Sequence, residues 1–153
     1  MNALTLPAAG PLVLLVEDSP GDVLLTQEAF RDVNAQVCLE VVPDGLQAIA
    51  YLRRMTPAGD APWPDIILLD LNLPGMDGSE VLARIKGDEV LKVIPTIILS
   101  TSSAEADIVK SYKLQANCYL SKPLRFEDFE ALVRSINDFW LTKARLPILE
   151  TSE

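Results

Sequence analysis

The sequence contains no histidine and only two cysteines among its 153 residues. Neither Cys38 nor Cys118 has a second cysteine or a histidine at metal-ligand spacing, which excludes a zinc-type centre built on these thiols. Both cysteines lie in apolar stretches of the sequence. We therefore expect two free, buried thiols, since cysteine often packs as a small hydrophobic residue.

Basic side chains are also scarce. Thirteen lysines and arginines stand against 22 aspartates and glutamates, which gives a net charge of −9 and a pI near 4.5. Nucleic-acid phosphates and anionic lipid headgroups would be repelled by such a surface. The composition therefore predicts no nucleic-acid partner and no membrane partner.

Long apolar runs are missing too. The first run, Leu12–Val16, has five residues, and no basic residue precedes it, so the beginning of the chain resembles neither a secretion signal nor a membrane span. We expect a cytoplasmic protein with one domain, because a chain of this length can form a single core. The expected organisation is an N-terminal extension at 1–11, a domain at 12–143 and a C-terminal tail at 144–153.

Short apolar runs alternate with segments of helical period, a rhythm typical of βαβ units on a parallel sheet. The predicted strands are Leu12–Val16, Gln36–Val42, Asp65–Asp70, Pro95–Leu99 and Asn117–Leu120. The predicted helices are Gly21–Val33, Gly45–Met55, Ser79–Lys86, Ala104–Leu114 and Phe126–Lys143. With strand order 2-1-3-4-5, strands two and five are opposite edges, which excludes a Cys38–Cys118 disulfide.

Two helix starts carry recognisable signals. Ser19 and Pro20 predict the beginning of the first helix, and Asp22 in its first turn favours the helix dipole. Ser79 is the expected cap of the third helix.

Polar side chains follow four of the predicted strands. Glu17 and Asp18 come after the first strand, Asp70 ends the third, Ser100 follows the fourth and Lys122 lies just beyond the fifth. The carboxyl ends of parallel strands lie along one edge of a sheet, where open α/β sheets bind ligands. We therefore expect these five groups to lie together.

Converging carboxylates repel one another unless a cation compensates their charge. Magnesium prefers hard oxygen ligands and combines one or two carboxylates with phosphate oxygens, so Asp18 and Asp70 are the expected ligands of Mg²⁺. A lysine ammonium and a hydroxyl can stabilise other phosphoryl oxygens, roles that fit Lys122 and Ser100. Asp70, on the central strand, is then the nucleophile that becomes an aspartyl phosphate.

Each residue taken alone has an ordinary explanation. Glu17 or Asp18 could cap the following helix, and Asp70, Ser100 or Lys122 could be a solvated surface group. The same residue types in this order, each after its own strand, rarely coincide by chance. The set as a whole indicates a phosphoryl-accepting site.

Four segments of the sequence resemble the response-regulator receiver domains of two-component signalling. They are Leu-Leu-Val-Glu-Asp-Ser at 14–19, Asp-Leu-Asn-Leu-Pro-Gly-Met-Asp-Gly at 70–78, Pro-Thr-Ile-Ile-Leu-Ser at 95–100 and Tyr-Leu-Ser-Lys-Pro at 119–123. The resemblance implies a flavodoxin-like (βα)5 doubly wound fold with a five-stranded parallel sheet. It also implies a signalling domain that catalyses only its own phosphorylation and dephosphorylation.

The resemblance also assigns a role to individual residues. Asp70 is the expected phosphoacceptor and Lys122 the phosphate-binding lysine, while Ser100 and Tyr119 match the switch hydroxyl and the switch aromatic residue. The backbone carbonyl of Asn72 would complete the Mg²⁺ shell, and Glu17 would act in the acidic pocket through water. Such domains typically have a cis bond before the proline that matches Pro123.

The function implied is a stand-alone response regulator. A sensor histidine kinase or a histidine phosphotransfer protein would supply the phosphoryl group, and the chain cannot be its own phosphohistidine donor because it has no histidine. The new charge beside Ser100 would draw its hydroxyl inward and let the Tyr119 ring fill the vacated space. The signal would pass through the face formed by helix four, strand five and helix five.

The end of the fifth helix is unusually apolar. Phe139, Trp140 and Leu141 are consecutive and point around more than one helix face, so some should be exposed in a monomer. A homodimer would cover them; alternatively, the tail residues Leu146–Leu149 fold back over them. This ending and the long loop Thr56–Pro64 resemble the single-domain regulators paired with bacterial phytochrome kinases.

Two other functions use similar topology. A phosphohydrolase with an aspartyl nucleophile needs a second aspartate two positions after the first, where this chain has Asn72. A nucleotide- or flavin-binding fold would show a glycine-rich or Walker sequence after the first strand, and none is present there. Both alternatives are therefore less favoured than a receiver.

Overall fold

Short apolar runs form the strands of a single parallel sheet. A computed structural model describes residues 10–33, 36–55 and 61–147. Its strands are Leu12–Val16 (β1), Cys38–Val42 (β2), Ile66–Leu69 (β3), Thr96–Ser100 (β4) and Cys118–Ser121 (β5). They lie in the order β2-β1-β3-β4-β5, which confirms the predicted topology.

A helix follows every strand. The α-helices are Pro20–Asp32 (α1), Gly45–Arg53 (α2), Gly78–Gly87 (α3), Glu105–Lys113 (α4) and Phe126–Asp138 (α5). A 3₁₀ turn at Leu91–Val93 precedes β4, and a π-helical segment at Phe139–Lys143 continues α5. The flavodoxin-like fold expected from the sequence is confirmed.

Side-chain hydrogen bonds decide where several helices begin. Ser19 caps α1 as expected, since its Oγ accepts from the backbone N of Asp22 at 3.2 Å. Ser79 was the wrong choice for α3, because Asp77 occupies the cap position and accepts from the backbone N of Glu80 at 3.1 Å. An aspartate one residue before Gly78 reaches the free N–H groups of the first turn better than a serine already inside the helix.

The segment Phe126–Lys143, predicted as one α-helix, forms an α-helix followed by a π-helical segment. Regular α-helix ends at Asp138, and the next five residues adopt the wider π-helical turn. The backbone N of Ala144 closes this turn by donating to the carbonyl of Phe139 at 2.7 Å. The apolar pattern that predicts a helix does not distinguish these two hydrogen-bonding schemes.

The core lies on both faces of the sheet. Strand β3 is buried at every position, and β1 at all but its first. One apolar cluster, built around Leu14, Ile67 and Leu82, packs beneath α2 and α3, and the other, built around Leu15, Leu68 and Val133, packs beneath α1 and α5. Burial on both faces explains why these strands read as continuous apolar runs.

Strand β2 is an edge, and this overturns one prediction. The prediction of a buried Cys38 is wrong, because its side chain is exposed at the first position of β2, whereas Cys118 is partly buried. Of the three β2 residues on the face of Cys38, Cys38 and Glu40 are exposed and only Val42 is buried, so an apolar neighbourhood in sequence did not mean burial. The two cysteines are free and lie on opposite edge strands, as expected.

Two further findings concern the described part of the chain. It contains no cis peptide bond, so the expectation of a cis bond before Pro123 is wrong and the trans form, which is favoured for most X-Pro bonds, is present. None of its helices has the length and hydropathy needed to cross a membrane. Most of the expected N-terminal extension and residues 148–153 of the tail lie outside the described residues.

Candidate functional site

Asp70 directly follows β3, a strand that is buried at every position. The backbone N of Asp70 donates to the carbonyl of Val16 at 3.1 Å, which joins the ends of β3 and β1. Its side chain is almost buried, and its Oδ1 accepts from the backbone N of Asn72 at 3.1 Å. The carboxylate is therefore held in place by the loop that follows its own strand.

Gly78 presses against the backbone of Asp70 from the start of α3. A Cβ at this position would lie 2.3 Å from the carbonyl oxygen of Asp70 and 2.5 Å from the Cα of Leu71. The backbone N of Gly78 also donates to the carbonyl of Leu71 at 2.9 Å. The loop from Asp70 to α3 thus closes tightly on itself, and only glycine fits at its far end.

Two acidic residues follow β1 at the same edge. Glu17 is buried and its Oε2 accepts from the backbone N of Ser19 at 3.2 Å, whereas Asp18 is exposed. One carboxylate oxygen from each of Glu17, Asp18 and Asp70 lies within 4.8 Å of the others. The structure therefore brings together the three acids that the sequence predicted to converge.

Lys122, which follows β5, places its ammonium against these acidic side chains. Its backbone N donates to the carbonyl of Ser100 at 2.7 Å, which fixes the turn after β5. Its Nζ lies 2.6 Å from Glu17 Oε1, 2.9 Å from Asp22 Oδ2 and 3.5 Å from Asp70 Oδ2. The Lys122 side chain is only 9% exposed and its ion pairs with Glu17 and Asp70 are shielded from solvent, whereas Asp22 is 39% exposed.

Burial and charge compete in this cluster. Burial raises the pKa of Glu17 to about 7, even though Lys122 acts to lower it. Burial alone would lower the pKa of Lys122, but the hydrogen bonds that it donates to Glu17 and Asp22 outweigh burial, so its pKa is raised. Burial therefore opposes the charged form of both Glu17 and Lys122, and the ion pair between them favours it.

The predicted switch residues meet through Ser102. Ser100 is completely buried, and its Oγ accepts from the backbone N of Ser102 at 3.1 Å. The Tyr119 hydroxyl donates to the backbone carbonyl of Ser102 at 2.9 Å. The Ser102 hydroxyl in turn donates to Asp107 in the first turn of α4 at 2.6 Å, so one loop residue contacts both switch residues and the next helix.

One member of the site was not predicted from the sequence. Asp22 was interpreted only as a favourable charge in the first turn of α1, yet it is the second-nearest partner of the Lys122 ammonium. Helix α1 follows β1 directly and therefore begins at the edge where the strands end. An acidic residue in its first turn, four positions after Asp18, was the available signal.

The donor set suits a hard divalent cation. Three carboxylates offer oxygen atoms to one point, and no other group of three or more potential His, Cys, Asp or Glu ligands occurs among the described residues. Oxygen-only ligands with one exposed side favour Mg²⁺, which keeps several waters. The Lys122 ammonium supplies a second positive charge next to the same oxygens.

Comparison with known proteins agrees with this geometry. The family model for the response regulator receiver domain matches residues 13–134. The chain belongs to this family. Response regulator Rcp1 of Synechocystis sp. (strain ATCC 27184 / PCC 6803 / Kazusa) is 44% identical over 136 residues, which cover 89% of this chain and 92% of Rcp1.

Solved receiver structures match over nearly the same length. The phosphorylated cyanobacterial phytochrome response regulator RcpA is 46% identical with a TM-score of 0.85, covering 92% of this chain and 100% of RcpA. The Mn²⁺-bound form of Rcp1 has a TM-score of 0.82 at 43% identity, covering 90% and 99%. The bacteriophytochrome response regulator RtBRR has a TM-score of 0.70 at 38% identity, covering 91% and 85%.

Proposed function

We propose that this receiver accepts a phosphoryl group on Asp70 from a phosphohistidine of a sensor histidine kinase. The observation that carries the proposal is the buried Asp70 carboxylate lying between the acidic cluster and the Lys122 ammonium. The donor histidine belongs to a partner because the chain has none. A histidine phosphotransfer protein is the alternative donor.

In the proposed reaction an Asp70 carboxylate oxygen forms a bond to phosphorus while the P–N bond of the phosphohistidine breaks. The electron pair of that bond stays on the donor imidazole. Lys122 and the Ser100 hydroxyl donate to phosphoryl oxygens of the product. Asp18, Asp70 and the Asn72 carbonyl would hold Mg²⁺ directly and Glu17 through water; the ion would neutralise charge on the transferring group.

The hydrogen bonds of Ser102 support a route from the phosphoryl group to the surface. When the Ser100 hydroxyl turns to the phosphoryl group, Ser102 N–H loses its acceptor, and when Tyr119 moves inward, the Ser102 carbonyl loses its donor. Both changes act on the residue that holds the first turn of α4 through Asp107. We propose that the signal leaves through the α4, β5 and α5 face.

A bacterial phytochrome is the proposed source of the signal. RcpA and RtBRR, which match this chain over most of its length, are phytochrome and bacteriophytochrome response regulators. The predicted domain limits, the cytoplasmic location and the absence of a nucleic-acid partner stay predictions. A phosphohydrolase remains disfavoured because Asn72 stands where that chemistry needs an aspartate.

We also propose a homodimer formed through the end of α5. Phe139 is 55% exposed and stacks edge-on against Trp140, with ring centroids 5.4 Å apart. Trp140, Leu141 and Leu146 pack against the cluster beneath α5, so part of this apolar ending is covered within the chain. Phe139 is the residue left for a second copy to cover.

Phosphorylation of Asp70 can be tested with a small donor. We expect incubation with acetyl phosphate and Mg²⁺ to add one phosphate to the intact protein, measured by mass spectrometry, and chelation of Mg²⁺ by EDTA to prevent it. Asp70→Asn should abolish the adduct because the nucleophilic carboxylate is replaced by a neutral amide.

The matched control is Asp138→Asn, an exposed aspartate at the last position of α5. It should be phosphorylated like the unchanged protein. A base-labile adduct that persists in Asp70→Asn would show that another residue is the acceptor. Turnover of many phosphate esters would favour a hydrolase.

A further inference from the structure

The Lys122 ammonium contacts two carboxylates besides that of Asp70, the proposed phosphoryl acceptor. Its Nζ lies closer to Glu17 and to Asp22 than to Asp70, at 2.6, 2.9 and 3.5 Å respectively. We infer that Asp22 is a positioning residue, which holds the Lys122 ammonium back from Asp70 and ready for a phosphoryl oxygen. This inference rests on the proposed phosphorylation of Asp70.

The position of Asp22 is fixed on both sides along the chain. Its backbone N donates to Ser19 Oγ at 3.2 Å, and its carbonyl accepts from Thr26 Oγ1 at 2.7 Å. Thr26 is buried, so the first turn of α1 cannot rotate freely. The backbone of Asp22 is therefore held in place, and its carboxylate, 39% exposed, contacts Lys122 from the rim of the site.

The distances indicate what Asp22 contributes. A charge-assisted bond between an ammonium and a carboxylate usually spans about 2.7–2.9 Å, so the 3.5 Å separation of Lys122 from Asp70 is longer than a close ion pair. An ammonium that closed onto Asp70 would cover the oxygen that must attack phosphorus. Held at its present distance, it leaves that oxygen accessible and stays near the phosphoryl oxygens that the reaction places on Asp70.

Asp22 differs from Glu17 in one respect. Glu17 belongs to the group of three carboxylates that could hold a cation, and Asp22 does not. The contact between Asp22 and Lys122 therefore does not compete with a cation for the same carboxylate. Asp22 is the partner that can retain Lys122 throughout phosphorylation.

The first test is the rate of phosphorylation by acetyl phosphate at saturating Mg²⁺. We expect Asp22→Asn to lower this rate about five- to tenfold, the range for losing a partly exposed charged hydrogen bond. Asp22→Glu, which keeps the charge, should recover most of the rate. Glu28→Gln removes one charge from an exposed ion pair of α1 and should leave the rate unchanged.

The second test needs neither metal nor phosphate. In urea unfolding of the metal-free protein, Asp22→Asn should increase the unfolding equilibrium constant about five- to tenfold in the unchanged background and have no such effect when Lys122 is replaced by Gln. A helix-start defect would persist in both backgrounds, so an equal effect in both overturns the inference.

An unchanged or faster rate for Asp22→Asn would also overturn it. That failure is distinct from failure of the proposed function. If the unchanged protein gains a phosphate that Asp70→Asn does not, phosphorylation of Asp70 stands whatever Asp22 does. If neither protein is phosphorylated, the proposed function itself is wrong.

Discussion

At the scale of single residues, the site depends on one position that has no side chain. Gly78 lies against the backbone of Asp70, and any Cβ there would overlap the Asp70 carbonyl. The overlap involves backbone atoms at the end of a buried strand, which cannot move aside as a flexible side chain could. Glycine at this position thus controls where Asp70, the proposed phosphoacceptor, lies.

We expect Gly78→Ala to destabilise the protein by about 1–3 kcal/mol, as overpacking does in well-packed interiors. It should also slow phosphorylation of Asp70, because the strand end must shift. Urea unfolding and phosphate incorporation measure the two effects. Gly87→Ala, at the other end of α3, where a new Cβ meets no atom within 4 Å, should cause no loss of either. Equal effects of the two substitutions would contradict this explanation.

The convergence of the acids after β1 and β3 with Lys122 after β5 was predictable, because parallel strands bring their carboxyl ends to one edge. The sequence did not predict the contact of Asp22 with Lys122 or that of Ser102 with Asp107. These contacts depend on how α1 and the loop after β4 pack at the site. Cys38 was predicted to be buried, and its exposure follows from its position at the edge of the sheet. Sequence neighbours indicate burial poorly where a strand has one free side.

At the scale of secondary-structure elements, one lysine joins three of them near the amino ends of the strands. This is the end of the sheet opposite the candidate site. Lys86, near the end of α3, donates to the carbonyls of Lys92 and Ile94 at 2.9 and 3.0 Å and to Asn117 Oδ1 at 2.9 Å. The same Asn117 oxygen accepts from the backbone N of Thr96 at 2.8 Å. These bonds join α3 to the beginnings of β4 and β5.

This arrangement predicts a pH dependence of stability. Burial lowers the pKa of Lys86 to about 8 from the ordinary 10.5, so between these values the unfolded chain binds a proton that the folded protein does not. Folding stability contributed by this group should therefore rise as the pH increases from about 8 to 10.5. Urea unfolding across this range, compared with Lys86→Met, isolates the contribution. A difference that falls with pH would show that the three hydrogen bonds favour the charged form more than burial opposes it.

Element boundaries were less predictable than element types. Asp77 displaced Ser79 as the cap of α3, and the last five residues of the predicted fifth helix form a π-helical segment. Hydrogen bonds of individual side chains and of the chain end decide these points, and they do not alter the apolar period. The alternation of apolar runs and helical periods predicted five strands and five helices in the correct order along the chain.

At the scale of the whole molecule, the exposed apolar surface is unevenly distributed. Leu46 on α2 is 67% exposed and Phe139 is 55% exposed, and of these two Phe139 alone is followed directly by large apolar residues, Trp140 and Leu141, that pack against the core. Isolated exposed leucines are ordinary on protein surfaces, whereas a contiguous aromatic group indicates a contact surface. The sequence predicted this apolar group at the end of the fifth helix, and in the structure Phe139 is its exposed member.

We expect Phe139→Ala to weaken self-association, because the aromatic ring supplies apolar area to the proposed dimer. Sedimentation velocity over a range of protein concentrations should show a dimer for the unchanged protein and a shift toward monomer for the variant. Leu46→Ala removes a comparably exposed apolar side chain elsewhere and should leave the association constant unchanged. A monomer at all concentrations before substitution would refute the dimer.

Helix α5 connects the turn that carries Lys122 to the exposed Phe139. The helix begins four residues after Lys122 and ends next to Phe139, and its 13 residues span about 20 Å. A straight rod of that length that tilted by roughly 5° at its origin would displace its tip by about 2 Å. A small adjustment of the turn at Lys122 is therefore enough, by simple leverage, to change the fit between two copies in the proposed dimer.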